Sequence, residues 1–221
     1  MLKLGNIGAA RYTAHRARRS QRLARQLVLH DGSTVLLRQI GVTDVPLLVD
    51  GFARLSAESR QARFLIRKDE LSEAELRYFT DVDHHDDEAL VALSAVDGRC
   101  VGVARFVRAV DDDEAAEVAV TVVDNWQRRG IGAALLRQLR ERALLEGIRR
   151  FTALIDDSNT AVLGLLHSLG VQARVVEREF GATEYSIMLD GAHERLPSPG
   201  SASSEPRVEW FRAGSRARAA I

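Results

Sequence analysis

The sequence has little cysteine, little lysine and no long apolar run, and each of these absences excludes a class of protein. The only cysteine is Cys100, which excludes an internal disulfide framework and fits a reducing, cytoplasmic location. No apolar run is long enough to cross a membrane, and no apolar segment follows the basic N-terminus as it would in a secretory signal. The formal net charge is +0, so overall charge favours neither nucleic acid nor a membrane surface as the partner.

Arginine takes the place of lysine almost everywhere, since Lys3 and Lys68 are the only lysines. This bias is typical of a GC-rich bacterial genome and predicts a bacterial source. Residues 1–30 are basic and contain no acidic side chain, a property that transit peptides share, but the scarcity of lysine along the whole chain favours the bacterial interpretation. The basic segment has few aromatic side chains for stacking and no nucleic-acid motif, so nucleic-acid binding is not expected.

The length and composition predict one folded domain with two tails. A chain of 221 residues with 46% hydrophobic side chains can form a sizeable core. We predict a folded domain over 31–190, between a basic arm at 1–30 and a flexible tail at 191–221. The tail is rich in serine, proline, glycine and arginine, a composition that does not support a packed core. The sequence leaves the oligomeric state open.

Between the tails the hydrophobic pattern predicts strands and helices in a definite order. The predicted strands cover 33–40, 89–96, 101–110, 116–123, 151–155, 174–179 and 183–189. The predicted helices cover 43–55, 56–66, 72–80, 130–147 and 159–169. Turn signals at Asp97-Gly98 and at Gly181 support two hairpins, and Ser72 with Glu75 has the spacing of a capping box.

The segment Gln-Arg-Arg-Gly-Ile-Gly at 127–132 follows the fourth predicted strand and opens the fourth predicted helix. Its glycines leave room for a ligand to approach the backbone, and the first N–H groups of a helix lack partners within it. The helix dipole and the two arginines favour the same negative ligand, so the segment predicts a phosphate-binding loop. It is not a P-loop, because Ala133 and Ala134 stand where a lysine and a hydroxyl residue are required. It is not a dinucleotide fingerprint, because it has two glycines rather than three.

The loop resembles the pyrophosphate loop Q/R-x-x-G-x-G/A of the GNAT acyltransferases, with Gln127, Gly130 and Gly132 on its three fixed positions. Residues 55–64, 83–93 and 117–132 also resemble the bacterial protein lysine acetyltransferases of the Pat type. The order of predicted elements over 33–190 is that of the GNAT fold. The resemblance implies an α/β (α+β) fold in a single domain, with a mixed, mostly antiparallel central sheet of about seven strands and flanking helices.

The same resemblance implies that acetyl-CoA is the cosubstrate and assigns residues to it. The pantetheine arm would lie along the backbone of the fourth strand, with the N–H of Val122 facing the thioester oxygen. The pyrophosphate would lie on the loop, and the start of the following helix would contact the coenzyme. The coenzyme-binding residues implied are Val120, Thr121, Val122, Gln127, Arg128, Arg129, Gly130, Ile131, Gly132 and Asn159.

An acceptor ammonium must lose a proton before it attacks a thioester, so a general base is needed. The resemblance places this base at Glu117, near the start of the fourth strand, where apolar neighbours would raise the carboxyl pKa. Glu114 is the alternative. Many GNAT enzymes also carry a tyrosine that protonates the leaving thiolate, but here Leu166 occupies that position. His167 or Ser168 could substitute for it, or water could supply the proton.

The resemblance thus implies an acetyl-CoA-dependent acetyltransferase with an amine acceptor, and a protein lysine is the acceptor we expect. Two alternatives remain open: a small-molecule amine as the acceptor, or a regulatory domain that binds acyl-CoA without turnover. The acidic loop at 81–87 contains two histidines, but consecutive residues cannot converge on one ion, so no metal site is predicted. The resemblance would place this loop beside the acceptor, where its charge would favour a basic segment.

Overall fold

The computed structural model describes residues 24–169 and 171–190, which form one eight-stranded sheet with helices on both faces. The strands are β1 Arg25–Val28, β2 Thr34–Gln39, β3 Asp87–Ser94, β4 Cys100–Arg108, β5 Ala115–Val122, β6 Arg150–Asp156, β7 Ala173–Glu179 and β8 Ala182–Met188. They lie in the order β1-β2-β3-β4-β5-β6-β8-β7. Every neighbouring pair is antiparallel except β5 and β6. The predicted mixed, mostly antiparallel sheet is therefore confirmed.

The sheet has one strand more than the seven expected. The additional strand, β1, lies at the edge of the sheet, in a segment that we predicted to belong to the basic arm. Leu27 packs against the core, Leu29 is buried, and a turn with Gly32 at φ +81° leads into β2. The sequence signal for β1 is weak because three of its four residues are exposed. The rest of the predicted arm, 1–23, and the predicted tail, 191–221, lie outside the described residues.

Three helices cover one face of the sheet and two cover the other. They are α1 Val45–Ala53, α2 Ala57–Phe64, α3 Glu73–Thr80, α4 Ile131–Leu145 and α5 Thr160–Ser168. The expected cap of α3 is present, since Ser72 and Glu75 form a capping box. At the start of α2, the hydroxyl of Ser56 accepts from the N–H of Ser59. In the part of the chain that the structure covers, no helix combines the length and hydrophobicity needed to cross a lipid bilayer.

Each face of the sheet has its own hydrophobic cluster. Under α4 and α5, the rings of Phe106 and Phe151 lie 6.0 Å apart, beside Leu135 of α4. Under α1, α2 and α3, the rings of Phe52 and Phe64 lie 5.8 Å apart. Burial on both faces fixes the register of the central strands, because a shift by one residue would exchange the two faces.

The parallel strands β5 and β6 are paired only where they begin. Residues 115–117 pair with residues 150–152, and the pairing then stops. Beyond that point β5 continues along β4 to Val122, whereas β6 continues along β8 to Asp156. The two strands therefore diverge after Glu117 and leave an opening in the middle of the sheet.

Candidate active site

A cleft of about 760 Å³, open to solvent, lies where β5 and β6 diverge. Three residues predicted for the site, Glu117, Val120 and Asn159, line it together. Residues 62–65, at the end of α2, form one wall, and Leu166 of α5 contributes to another. The structure thus brings the predicted base and part of the predicted coenzyme site into one cleft.

The backbone of β5 presents alternate residues to this cleft. In an antiparallel pair the N–H groups of every second residue point to the partner strand. The N–H of Val123 donates to the carbonyl of Val101 at 3.0 Å, so the N–H of Thr121 also points to β4. The N–H groups of Val120 and Val122 point the other way, toward the side where β6 diverges, and Val120 lines the cleft. Of the three predicted pantetheine residues, Val120 and Val122 therefore offer backbone groups, while Thr121 is bonded within the sheet.

The glycines of the predicted phosphate-binding loop at 127–132, called the phosphate loop below, meet two different structural requirements. Gly130 has φ +95°, a left-handed conformation that favours glycine, and α4 begins at Ile131. The N–H of Ala134 donates to the carbonyl of Gly130 at 3.0 Å, so the N–H groups of 130–133 precede the helical ladder, at the end of the helix whose dipole favours an anion. A Cβ on Gly132 would lie 3.1 Å from Leu165 of α5. Gly132 therefore permits close packing of the two helices.

Two side chains of the loop support its shape and charge. The Nε2 of Gln127 donates to the carbonyl of Val122 at 3.1 Å and to the hydroxyl of Ser59 at 3.3 Å, which fixes the loop to β5. Arg128 is exposed and has φ +59°, which is uncommon for a residue other than glycine. Among the described residues no ion-pair partner of its guanidinium is seen, so the side chain can extend into solvent.

The turn between β1 and β2 lies against the loop, a contact that the sequence does not predict. Arg129 donates to the carboxylate of Asp31 at 2.8 Å, and its guanidinium lies 4.8 Å from the ring centroid of Trp126. The ring of His30 lies 3.6 Å from the position that a Cβ on Gly130 would occupy. Asp31 precedes Arg129 by 98 residues, and no motif in the turn marks it as part of a coenzyme site.

The candidate base Glu117 is half-buried on the face of β5 that α1, α2 and α3 cover. Among the described residues that line the cleft, Glu117 is the only one with a carboxylate. Glu114, the alternative, is exposed in the turn before β5, where its carbonyl accepts the N–H groups of Arg149 and Arg150. The geometry therefore favours Glu117.

A pair of arginines lies near Glu117. Arg63, in the last turn of α2, lines both the cleft and a second pocket of about 630 Å³ under α1, α2 and α3. Burial and the nearby Arg105 lower the pKa of Arg63 to about 10, against the opposing charge of Glu117. Arg105 is buried, forms an ion pair with Asp87, and lies 3.9 Å from the ring centroid of Tyr78. The sequence analysis assigns a role at the site to neither arginine, because they meet only through the packing of helices on the sheet.

Helix α2 is attached to the segment that carries the phosphate loop. The carboxylate of Asp124 accepts the N–H of Ser56 at 2.8 Å and the hydroxyls of Ser56 and Ser59 at 2.9 and 2.7 Å. The hydroxyl of Ser59 also accepts from Gln127 of the loop. One end of α2 is thus bonded to the loop, while the other end places Arg63 in the cleft.

Three carboxylates of the acidic loop, those of Asp83, Asp86 and Asp87, are bonded within the protein. Asp83 accepts the backbone N–H groups of 85–87 at 2.8 to 3.0 Å. Asp86 and Asp87 form ion pairs with arginines of β4. The expectation that the loop favours a basic acceptor segment stays a prediction. Within the ranges 24–169 and 171–190, no group of three or more His, Cys, Asp or Glu side chains is placed to hold a metal ion.

Leu166 and Cys100 lack the chemistry of a catalytic group. Leu166, at the tyrosine position, is buried in the core and carries no proton to donate. The side chains of His167 and Ser168 lie outside the described part of the chain. Cys100 is buried, and burial raises the pKa of its thiol to about 11, so it is not an activated nucleophile.

Several known proteins that this chain resembles are named as acetyltransferases. The profile described as the Acetyltransferase (GNAT) family matches residues 53–171. An acetyltransferase of Pseudomonas aeruginosa is 34% identical over 144 residues, which are 64% of this chain and 77% of that protein. Acetyltransferase Pat of Mycolicibacterium smegmatis is 34% identical over 140 residues, which are 63% of this chain but 41% of Pat. The crystal structure of the GNAT domain of S. lividans PAT is 29% identical, with a TM-score of 0.70, and covers 76% of this chain and 97% of that domain.

Proposed function

The chain belongs to the GNAT family of acetyltransferases, and on that basis we propose that it transfers the acetyl group of acetyl-CoA to the side-chain amine of a protein lysine. Membership of the family makes the chain an acetyl-CoA-dependent acetyltransferase. Lysine as the acceptor is supported by the resemblance to the Pat type, although the chain spans 41% of the length of Pat. The observation that carries the proposal is the cleft itself, where one carboxylate lies beside backbone groups of β5 that no strand pairs.

In this proposal the coenzyme binds mainly through backbone groups. The N–H groups at 130–133 and the side chain of Arg128 bind the pyrophosphate. The pantetheine arm lies along β5, where it hydrogen-bonds to the backbone of Val120. The N–H of Val122 donates to the thioester oxygen and stabilises the negative charge that develops on it. Asn159, at the start of α5, contacts the coenzyme from the opposite wall of the cleft.

Glu117 is the proposed general base. It accepts a proton from the lysine ammonium, directly or through water, and the neutral amine then attacks the carbonyl carbon of the thioester. The C–N bond forms, the C–S bond breaks and the coenzyme leaves as a thiolate. The second proton of the attacking nitrogen passes through water to that thiolate. The products are N-acetyl-lysine and free coenzyme A. Holding both reactants in one cleft supplies much of the rate without a covalent intermediate.

The proposal is tested by incubating the full chain with acetyl-CoA and a protein extract and identifying acetylated lysines by mass spectrometry. Glu117→Gln keeps the size of the side chain but removes its basicity. We expect this variant to lower kcat by roughly 10²- to 10⁴-fold, with the acetyl-CoA affinity unchanged. Glu114→Gln is the matched control and should keep full activity.

Other outcomes of the same experiment would point elsewhere. Acetylation of polyamines or amino acids, with no acetylated protein, would make the chain a small-molecule acetyltransferase. Coenzyme binding with no transfer to any protein or amine would indicate a regulatory domain. Full activity of Glu117→Gln would remove the base assignment and leave the acceptor assignment standing.

A further inference from the structure

The guanidinium of Arg63 lies in the cleft, and the proposed reaction gives it no role. Arg63 is half-buried, and it lines both the cleft and the second pocket. Its guanidinium carbon lies 5.0 Å from the ring centroid of Phe64, and no residue that the structure describes accepts a hydrogen bond from it. A guanidinium has five N–H donors in a planar arrangement that suits a carboxylate. Arg63 therefore has the chemistry of an anion-binding residue.

The neighbouring cation, Arg105, already has its partners. It forms an ion pair with Asp87, donates to the carbonyl of Tyr78 at 2.9 Å, and lies against the ring of the same tyrosine. Arg63 is repelled by Arg105 and attracted by Glu117. Among the described side chains that line the cleft there is thus one cation, Arg63, and one carboxylate, that of Glu117, and the two charges balance while Glu117 is ionised.

Binding of the acceptor's ammonium removes this balance. The ammonium adds a positive charge to the cleft, and that charge stays there when the proton passes to Glu117, which leaves the guanidinium of Arg63 without a balancing carboxylate among the described residues of the cleft. An unbalanced charge is costly in a half-buried site, because water screens it poorly. A carboxylate on the acceptor, placed against Arg63, would offset this positive charge when the acceptor binds.

We propose that Arg63 selects acceptor lysines that have an aspartate or glutamate as a near neighbour, by binding that carboxylate. The inference rests on the proposed lysine acetyltransferase function and specifies its substrate class. The guanidinium forms two parallel hydrogen bonds to the carboxylate, which fixes the peptide relative to Glu117. Arg63 is in this sense a specificity-determining residue and takes no proton itself.

The test compares three peptides that differ only in the residue after the acceptor lysine, which is Glu, Gln or Lys. With saturating acetyl-CoA, we expect kcat/KM for the Glu peptide to exceed that for the Gln peptide roughly tenfold, mainly through KM. The Lys peptide should be the poorest substrate. Arg63→Glu should reverse this order, and Arg63→Lys should preserve it in weaker form. Arg67→Glu changes an exposed arginine outside the cleft and should leave the order as it is.

The possible failures of this test are distinguishable. Equal kcat/KM for the three peptides, or an order that Arg63→Glu leaves unchanged, would overturn the role of Arg63 while lysine acetylation stands. Acetylation of free amines and of no peptide would overturn the lysine acetyltransferase function and this inference with it. Each variant should bind acetyl-CoA with unchanged affinity in a calorimetric titration, which shows that it is folded.

Discussion

Gly130 and Gly132 illustrate how much a short motif reveals at the scale of single residues. The motif identifies both positions, and the structure gives each a separate physical reason: a positive φ at Gly130 and a close helix contact at Gly132. What the motif cannot reveal is the charge that faces the loop from another part of the chain. Asp31 faces Arg129 across a turn that local sequence does not connect with the loop.

Replacing Gly130 by glutamate should strongly weaken coenzyme binding. The new side chain would place a negative charge at the helix end that is proposed to bind the pyrophosphate, and we expect the Kd for acetyl-CoA to rise by two orders of magnitude or more, roughly 3 kcal/mol. Gly181→Glu is the matched control, because Gly181 also has a positive φ, +80°, but lies in the β7–β8 turn with nothing near its Cβ position. Isothermal titration calorimetry on both variants measures the effect, and equal losses of affinity would contradict the loop assignment.

Replacing Asp31 by asparagine should strengthen coenzyme binding. Hydrogen bonds from Ser33, together with the charge of Arg129, hold the pKa of Asp31 below its ordinary range, so it is ionised and competes with phosphate for the arginine. The contact is exposed, so we expect a modest gain, about two- to fivefold in Kd at low salt. Asp97→Asn changes an exposed turn aspartate elsewhere and should have no effect. An unchanged or weaker affinity for Asp31→Asn would show that this ion pair does not oppose binding.

Among the secondary-structure elements, helix α2 connects the phosphate loop with the cleft. Its N-terminal serines are bonded to Asp124, beside the phosphate loop, and its last turn supplies Arg63 and Phe64 to the cleft. The helix and its N-cap are predictable from the sequence, because Ser56 precedes a periodic segment. The bond to Asp124 is not, because it spans 68 residues and depends on how the helix lies on the sheet.

Removing the Asp124 carboxylate should loosen α2 and impair use of the acceptor more than binding of the coenzyme. Asp124→Ala eliminates three hydrogen bonds, and we expect a loss of about 1 to 3 kcal/mol in the free energy of unfolding. We also expect an increased KM for the lysine substrate. Ser72→Ala removes a comparable cap from α3, which is not bonded to the loop, and should lower stability without changing that KM. If Asp124→Ala and Ser72→Ala have similar KM values for the lysine substrate, the bonds between α2 and Asp124 have no role in use of the acceptor.

At the scale of the whole molecule, the sequence predicts the order of elements and the position of the phosphate loop, because both are recorded in local patterns. Every predicted strand and helix has its counterpart in the structure. The edge strand β1 is missed because its four residues have no alternating pattern. The site residues Arg63, Arg105 and His30 are missed for a different reason. Each is brought to the site by packing between segments far apart in the chain.

The pH dependence of the free energy of unfolding is a property of the whole molecule, and Asp87 should make a measurable contribution to it. Burial raises the pKa of Asp87 to about 6, although Arg105 opposes the shift. A carboxyl group with a raised pKa stabilises the fold below its ordinary pKa of 3.8, and that contribution is lost as pH rises through 6. The free energy of unfolding of the unaltered protein, relative to Asp87→Asn, should therefore fall between pH 4 and pH 7, by on the order of 1 to 3 kcal/mol.

Urea unfolding of both proteins at several pH values in this range measures the difference. Comparing the two proteins cancels the other carboxylates, several of which have lowered pKa values and shift stability in the opposite direction. If the free energy of unfolding of the unaltered protein, relative to Asp87→Asn, is constant or grows with pH, the raised pKa assigned to Asp87 is contradicted.

The divergence of β5 from β6 has a consequence for how the chain can vary in sequence. A ligand that hydrogen-bonds to main-chain amides at 120 and 122 is indifferent to the side chains there, so isoleucine or threonine should serve as well as valine. Proline should not, because it has no amide hydrogen to donate. When recognition uses the main chain, most side-chain substitutions at these positions should have no effect on binding. For the same reason, the sequence signal for the ligand comes mainly from glycines and not from charged side chains.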